Sequence, residues 1–191
     1  MQSWENQNAA VQQVDVLLFE AFSALCLANT IEPLRAANEI AGQETFGWRL
    51  ISETGAKVTS SAQVVFEPEA ALVNATAPDL IFLLSGPLGQ FETPRPSNGV
   101  LRRMERAGVI LGGISGGVFP LVKAGVMKGY RCSVHWCYEA AFKAEFPEMQ
   151  AADDVIVTDR RRYTASGAAA AFDLALTLIE DRLGNATAHE V

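Results

Sequence analysis

The chain alternates short, nearly unbroken apolar runs with segments whose apolar residues recur at helical spacing. VDVLLF (Val14 to Phe19), PDLIFLLSG (Pro78 to Gly86) and GVILGGI (Gly108 to Ile114) have the length and continuous apolarity of strands buried on both faces. GWRLISE (Gly47 to Glu53) reads as a further strand, and KVTS and QVVFEP as a short β pair after it. Leu27, Ile31, Leu34 and Ala37 mark a helix from Ser23 to about Ile40, in which Pro33 predicts a kink or a restart. After the Pro-rich loop LGQFETPRPSN, Asn98 to Ala107 forms a charged amphipathic helix. Ser115 to Ala124 reads as a helix stopped by Gly125, and His135 to Phe146 as one stopped by Pro147. DVIVTD and RRYTAS flank Asp159-Arg160 as an antiparallel hairpin. Gly167 to Leu183 is a long helix with Phe172, Leu176 and Ile179 on one face, and GNATAHEV follows as a linker or helix start. Strands alternating with helices predict a doubly wound α/β fold, a mostly parallel sheet covered on both faces. Ligands in such folds bind beyond the carboxyl ends of the strands. Two strand ends are chemically marked, Ser85-Gly86 and Gly113-Ile114-Ser115.

Composition narrows the function. A chain of 191 residues, 49% hydrophobic and 19% charged, suits one domain with its own core. A net charge of −7 argues against nucleic-acid binding by this chain alone. The basic clusters Arg102-Arg103 and Arg160-Arg161-Arg162 read as a solvated helix face and a hairpin turn. Cys26, Cys132 and Cys137 are odd in number and unpaired in spacing, as expected of reduced cytosolic thiols. His135 lies between two of them, but a zinc site needs three or four ligands and no second half-site exists, so no metal is expected. The first residues carry no basic stretch of a secretory signal, and no apolar run reaches the roughly 20 residues of a membrane span. A cytoplasmic protein without membrane contact follows as the expectation.

The candidate chemistry sits in VILGGISGGVFPLVKAG, Val109 to Gly125. Gly113-x-Ser115-x-Gly117 has the spelling of a nucleophile elbow, a sharp strand-to-helix turn that lifts a side chain off the sheet. Amides at the helix start, near Gly116 and Gly117, are expected to face that spot and favour an oxyanion or a bound carboxylate. A catalytic serine also needs a base. The two histidines of the chain are His135 and His189, and no acid lies between Ser115 and His135. The serine-acid-histidine order of an α/β-hydrolase is therefore not met. Trp136 reads more readily as core than as a ligand clamp. Cys26 reads as buried and inert, and Ser166 as a helix cap.

GGISGGVFPLVKAGVMKGYRCSVHW resembles the elbow region of the ThiJ/PfpI family, in the class I glutamine amidotransferase-like superfamily. LLFEAFSALCLANTIEPLRAANEI and YTASGAAAAFDLALTLIEDRLGN resemble the first and last helices of one subgroup, the sensor domain at the N-terminus of AraC-type transcription regulators. The resemblance runs from about Val14 to Asn185 and implies a flavodoxin-like sheet. It places Ser115 where the family keeps a nucleophilic cysteine, His135 on the family's histidine, and Cys26 near the position of a carboxylate. Both chemically active groups are thus replaced, which implies a sensor without catalysis and without a cofactor. The implied organisation is a flexible tail over residues 1–13, a sensor domain over 14–184, and a linker over 185–191 leading to a helix-turn-helix domain that would contact DNA. The implied ligand site joins Ser115, Gly116, Gly86 and His135, with Cys26 and Trp136 beside them. A carboxylate suits the elbow, and a small zwitterion, such as an amino acid, satisfies both an anionic and a cationic end. GYRCSVHW resembles members that respond to betaine- or carnitine-like compounds. Regulators of this type also imply a homodimer. The competing expectation is a serine variant of the family's hydrolase, amidase or glyoxalase-like enzymes.

Overall fold

The computed structural model describes residues 10–87 and 89–191. Most of the expected N-terminal tail (residues 1–9) and Leu88 lie outside the described residues. In chain order the elements are β1 (Gln12–Leu18), α1 (Ala24–Ala41), β2 (Phe46–Ser52), β3 (Val58–Thr59), β4 (Val65–Phe66), β5 (Ala70–Ala71), β6 (Leu80–Ser85), α2 (Pro94–Arg106), β7 (Ile110–Ser115), α3 (Val118–Lys123), β8 (Arg131–Ser133), α4 (Glu139–Glu145), β9 (Gln150–Ala152), β10 (Ile156–Asp159), β11 (Arg162–Ala165), α5 (Ala168–Leu183) and α6 (Asn185–Glu190).

The main sheet has the order β10-β11-β7-β6-β1-β2-β5. Every neighbouring pair is parallel except the β10/β11 hairpin at one edge. The chain leaves β1 toward β2 and later returns to lay β6 on the other side of β1. That reversal opens a crevice at the carboxyl ends of β1 and β6, where doubly wound sheets bind ligands. Side chains alternate across the pleat. Val14, Val16, Leu18, Phe82 and Leu84 pack with α1 and α5, while Leu17, Ile81, Leu83 and Leu111 pack with α2 and α3. The α/β architecture read from the apolar runs is thus the architecture of the molecule.

Several details depart from the sequence reading, each for a physical reason. β1 begins at Gln12, inside the expected tail, because Gln12 and Gln13 already pair with Phe46 and Gly47. α1 runs unbroken through Pro33, whose burial with Leu34 and Ala37 outweighs one lost backbone bond. α2 starts at Pro94, earlier than expected, because proline is preorganised for a first helical turn and the Glu53 carboxylate accepts the amides of Glu92 and Thr93 just before it. The helix expected from Ser115 begins at Val118, and the one expected from His135 is split into a short 3-10 turn and α4. Of the linker and helix start read for the tail, the structure shows a helix: α6 folds back so that Ala188 and Val191 pack on the core. Arg162 is not part of a solvated turn. It is 1% exposed, bonded to the carbonyl of Val126 (2.7 Å), paired with Glu105, and stacked on Tyr130.

Candidate functional site

Ser115 closes β7 in the left-handed region, at φ 57°, and is 9% exposed. A non-glycine residue in this conformation carries strain that its surroundings must hold in place. The holding is done by backbone contact. A Cβ on Gly116 would lie 1.8 Å from the Gly86 carbonyl oxygen, and one on Gly117 would lie 1.7 Å from that of Leu83. Only glycine lets the elbow descend so close to β6. Gly86 in turn lies against the carbonyl of Ala21, which also adopts a positive φ, in the turn between β1 and α1. Three turns, 19–22, 85–87 and 115–117, are therefore stacked at the carboxyl edge of the sheet.

This stacking decides the elbow's chemistry. The Gly116 amide donates to the Ser85 carbonyl (3.1 Å), and the Gly117 amide donates to the Ile114 carbonyl (3.0 Å). The donors expected to face a carboxylate or an oxyanion are turned into the protein instead. The chain turns at the left-handed Ser115 so that one of these amides meets the end of β6 and the other its own strand, β7.

Of the candidate residues, Gly86, Ser115 and Gly116 are brought together. His135 packs against Gly167, at the start of α5 beside β11. Its Nδ1 accepts from the Cys137 amide (3.2 Å), and its ring stacks on Trp136 and lies tilted against Tyr138. A neutral ring with Nδ1 accepting carries its proton on Nε2. In that tautomer His135 is a hydrogen-bond donor at Nε2, the reverse of a serine-activating base. Cys26 does not line the cavity described below: it is 3% exposed, in the core with Leu84 and Ile114, and burial pushes its thiol pKa up against a weaker opposing hydrogen bond from Ser23. Trp136 is not core. It is 79% exposed, on the wall of a cleft of about 170 Å³ with Glu139, Asp153, Asp154 and Val155.

A larger cavity, about 350 Å³, opens at the carboxyl ends of β1, β2 and β6, on the crevice side of Ser85. Leu18, Phe19, Val58 and Phe91 supply its apolar surface, with the Phe19 and Phe91 rings 5.1 Å apart. Glu20, Lys57 and Glu92 supply exposed charge. Glu53, on the same wall, is occupied: it accepts from the amides of Glu92 and Thr93 and from the hydroxyls of Thr93 and Ser97, at 2.6–2.8 Å. Burial pushes its carboxyl pKa up, but these four bonds outweigh that and hold it below its ordinary value. The sequence reading missed this cavity. The available signal was position, since Glu20 and Glu53 fall just past the ends of two adjacent parallel strands.

Among the described residues, no helix is long and apolar enough to cross a membrane, and no group of three or more His, Cys, Asp and Glu side chains is placed to hold a metal.

The sequence profile of the DJ-1/PfpI family matches residues 12–181. The HTH-type transcriptional regulator GbdR of Pseudomonas aeruginosa is 35% identical over 173 residues, which cover 91% of this chain and 47% of that protein. The HTH-type transcriptional regulator CdhR of the same organism is 32% identical over 179 residues, covering 92% and 52%. A crystal structure of an AraC family transcriptional regulator from Pseudomonas putida superposes with a TM-score of 0.82 at 25% identity, covering 94% of this chain and 96% of that one. The chain spans about half the length of the curated relatives it matches.

Proposed function

The chain belongs to the DJ-1/PfpI family, and from that premise we propose that it is the metabolite-sensing, non-catalytic part of a transcription regulator. The observation that carries the reading is the state of the elbow. Ser115 stands at the nucleophile position with both following amides bonded back into the sheet. His135, whose Nδ1 already accepts a backbone amide, is not set to take the hydroxyl proton. Acyl transfer needs an activated nucleophile and donors for the developing oxyanion. The elbow offers a hydroxyl on a rigid backbone, with neither of these.

The ligand class is a small carboxylate or zwitterion, amino-acid-like or betaine- or carnitine-like, held at the carboxyl edge of the sheet. The working form is a cytoplasmic homodimer, and contact with DNA falls to the other half of such a regulator. The charge of −7 on this chain fits that division of labour.

The deciding experiment is a turnover assay with p-nitrophenyl acetate and methylglyoxal, on the chain and on Ser115→Ala. The expected result is the same background rate for both. The competing reading, a serine hydrolase or glyoxalase-like enzyme, requires turnover that Ser115→Ala abolishes while the unfolding midpoint is unchanged, and that result would overturn the proposal. Sedimentation velocity checks the dimer, and a monomer at micromolar concentration would count against it.

A further inference from the structure

The cavity at the ends of β1, β2 and β6 has a division of polarity that points to one kind of occupant. Its inner surface is apolar, carried by Phe19 and Phe91, 9% and 5% exposed. Its buried polar side chains, Ser52 and Ser85, are turned to accept, while Thr54 and Gln90, on the exposed part of the wall, can also donate. Ser52 and Ser85 are each 4% exposed and line the wall. Each has already given its hydroxyl proton to a nearby carbonyl, Ser52 to Ala56 and Ser85 to Gly86, both at 2.9 Å. What these hydroxyls have left to offer a ligand is lone pairs. The carboxylates of Glu20 and Glu92 add negative charge at the rim. Glu53 adds none that is free, but its bond to the Glu92 amide (2.7 Å) fixes where Glu92 stands. Among the described residues the one cation on the wall is Lys57, 64% exposed and loosely paired with Glu67 at 3.7 Å.

We propose that this cavity, beside the elbow and not at it, is the ligand site of the sensing domain, and that it takes a small zwitterion bearing a primary ammonium group. An α-amino acid with an apolar side chain is the simplest such molecule. Its N–H donors meet the acceptors of Ser52, Ser85, Glu20 and Glu92, its side chain lies on Phe19 and Phe91, and its carboxylate faces Lys57. A fully methylated ammonium carries no N–H and leaves the two serine acceptors unmatched. The volume is at the lower end of the range of small-molecule pockets, which suits a metabolite of this size. The proposal rests on the sensing reading and narrows it to one site and one charge pattern.

The test is an amide NMR titration of the whole chain with the proteinogenic amino acids, in pools and then singly, at millimolar concentration. The expected result is shifts at the amides of Glu20, Ser52, Lys57, Ser85 and Phe91 with at least one apolar amino acid. N,N,N-trimethylation or removal of the amino group of that compound should abolish them. The double variant Glu20→Gln, Glu92→Gln should weaken binding about tenfold, the sum of two rim ion pairs. Both side chains are exposed, and Gln keeps an acceptor for the Thr59 amide that Glu20 holds, so the fold is retained. Shifts centred on Ser115 to Gly117 and His135, with the cavity silent, would overturn this site and leave the sensing reading standing. Equal binding of the deaminated or trimethylated compounds, or no shift with any pool, would overturn the proposal, whereas Ser115-dependent turnover is what overturns the sensing reading.

Discussion

The stacked turns make a prediction of opposite signs for two glycines. Gly116→Ala places a methyl group 1.8 Å from the Gly86 carbonyl oxygen. The elbow and the Gly86 turn must then separate by more than about 1 Å, since a close-packed interior has no slack for the overlap. Overpacking of this kind costs about 1–3 kcal/mol. The separation also stretches the Gly116 amide bond to the Ser85 carbonyl, and a lost buried bond costs roughly 1 kcal/mol more. The expected total is about 2–4 kcal/mol, or a midpoint lowered by about 5–15 °C for a chain of this length. Gly99→Ala is the matched control. Gly99 lies inside α2, and its nearest neighbour to a new Cβ is Nη1 of Arg103, 3.8 Å away. Alanine there should add about 0.5–1 kcal/mol from helix propensity alone. Urea unfolding followed by circular dichroism measures both, with an unchanged m-value as the check that the endpoints are the same. If Gly116→Ala stays within about 0.5 kcal/mol of the parent, the turns yield freely and backbone stacking does not hold Ser115 in its conformation.

Glu105→Gln should destabilise by about 2–3 kcal/mol, less than for a fully buried pair because the Glu105 side chain is 35% exposed, as it leaves the guanidinium of Arg162 without its countercharge. A double-mutant cycle with Arg162→Met, also read by urea unfolding, should show coupling above about 1 kcal/mol, and a value near zero would mean that the carbonyls of Val126 and Arg161 suffice. Glu53, whose folded pKa lies below its ordinary 4.5, contributes stability above that value that is lost as pH falls through the folded pKa. Glu53→Gln should therefore flatten the acid limb of the stability profile, with amide exchange rising first at Glu92 and Thr93. A thiol reagent should modify one cysteine per native chain, the exposed Cys137, because Cys26 and Cys132 are buried and burial pushes the Cys132 thiol up to about 12.

The apolar runs were enough to read the sheet, because a strand covered on both faces has no polar positions to disguise it. Leu80–Ser85 and Ile110–Ser115 could hardly be anything else, and their order between helices implied the crevice. The cavity was not legible. Its wall comes from 18–20, 52–54, 56–58, 85, 87 and 89–92, stretches with no motif among them, and only the parallel pairing of β1 with both β2 and β6 brings them together. Hydrogen-bond destinations were equally hidden. The residues of the elbow show that amides follow Ser115, but whether they face a ligand or the Ser85 carbonyl depends on a neighbouring strand's register. β8 and β9 escaped because Arg131-Cys132-Ser133 and Gln150-Ala151-Ala152 contain none of the β-branched or aromatic residues that mark a strand.

The strained geometry of the elbow has a structural cause. The turns at Ala21, Gly86 and Ser115 touch through backbone atoms, and two of the three residues sit at positive φ without being glycine. Such a stack cannot be relaxed one turn at a time. Moving Ser115 to an ordinary conformation would unseat Gly116 from Gly86, and Gly86 from Ala21, at the point where β1 enters α1. The strain at Ser115 is thus held by the packing of three loops. A glycine-flanked serine at the end of a buried strand therefore reports the geometry of this sheet edge. Whether it reports catalysis depends on what the spelling omits: a base free to take the proton and donors free to face the oxyanion. Here the His135 Nδ1 is occupied by the Cys137 amide, and the two amides after Ser115 are bonded inward. The same closure leaves the open space one strand over, between the Glu20 turn and the Glu53-anchored start of α2. A ligand there would touch both the β1–α1 turn, tied to β3 by the Ala21 and Thr59 backbone, and the first turn of α2, so its binding would be felt on both faces of the sheet.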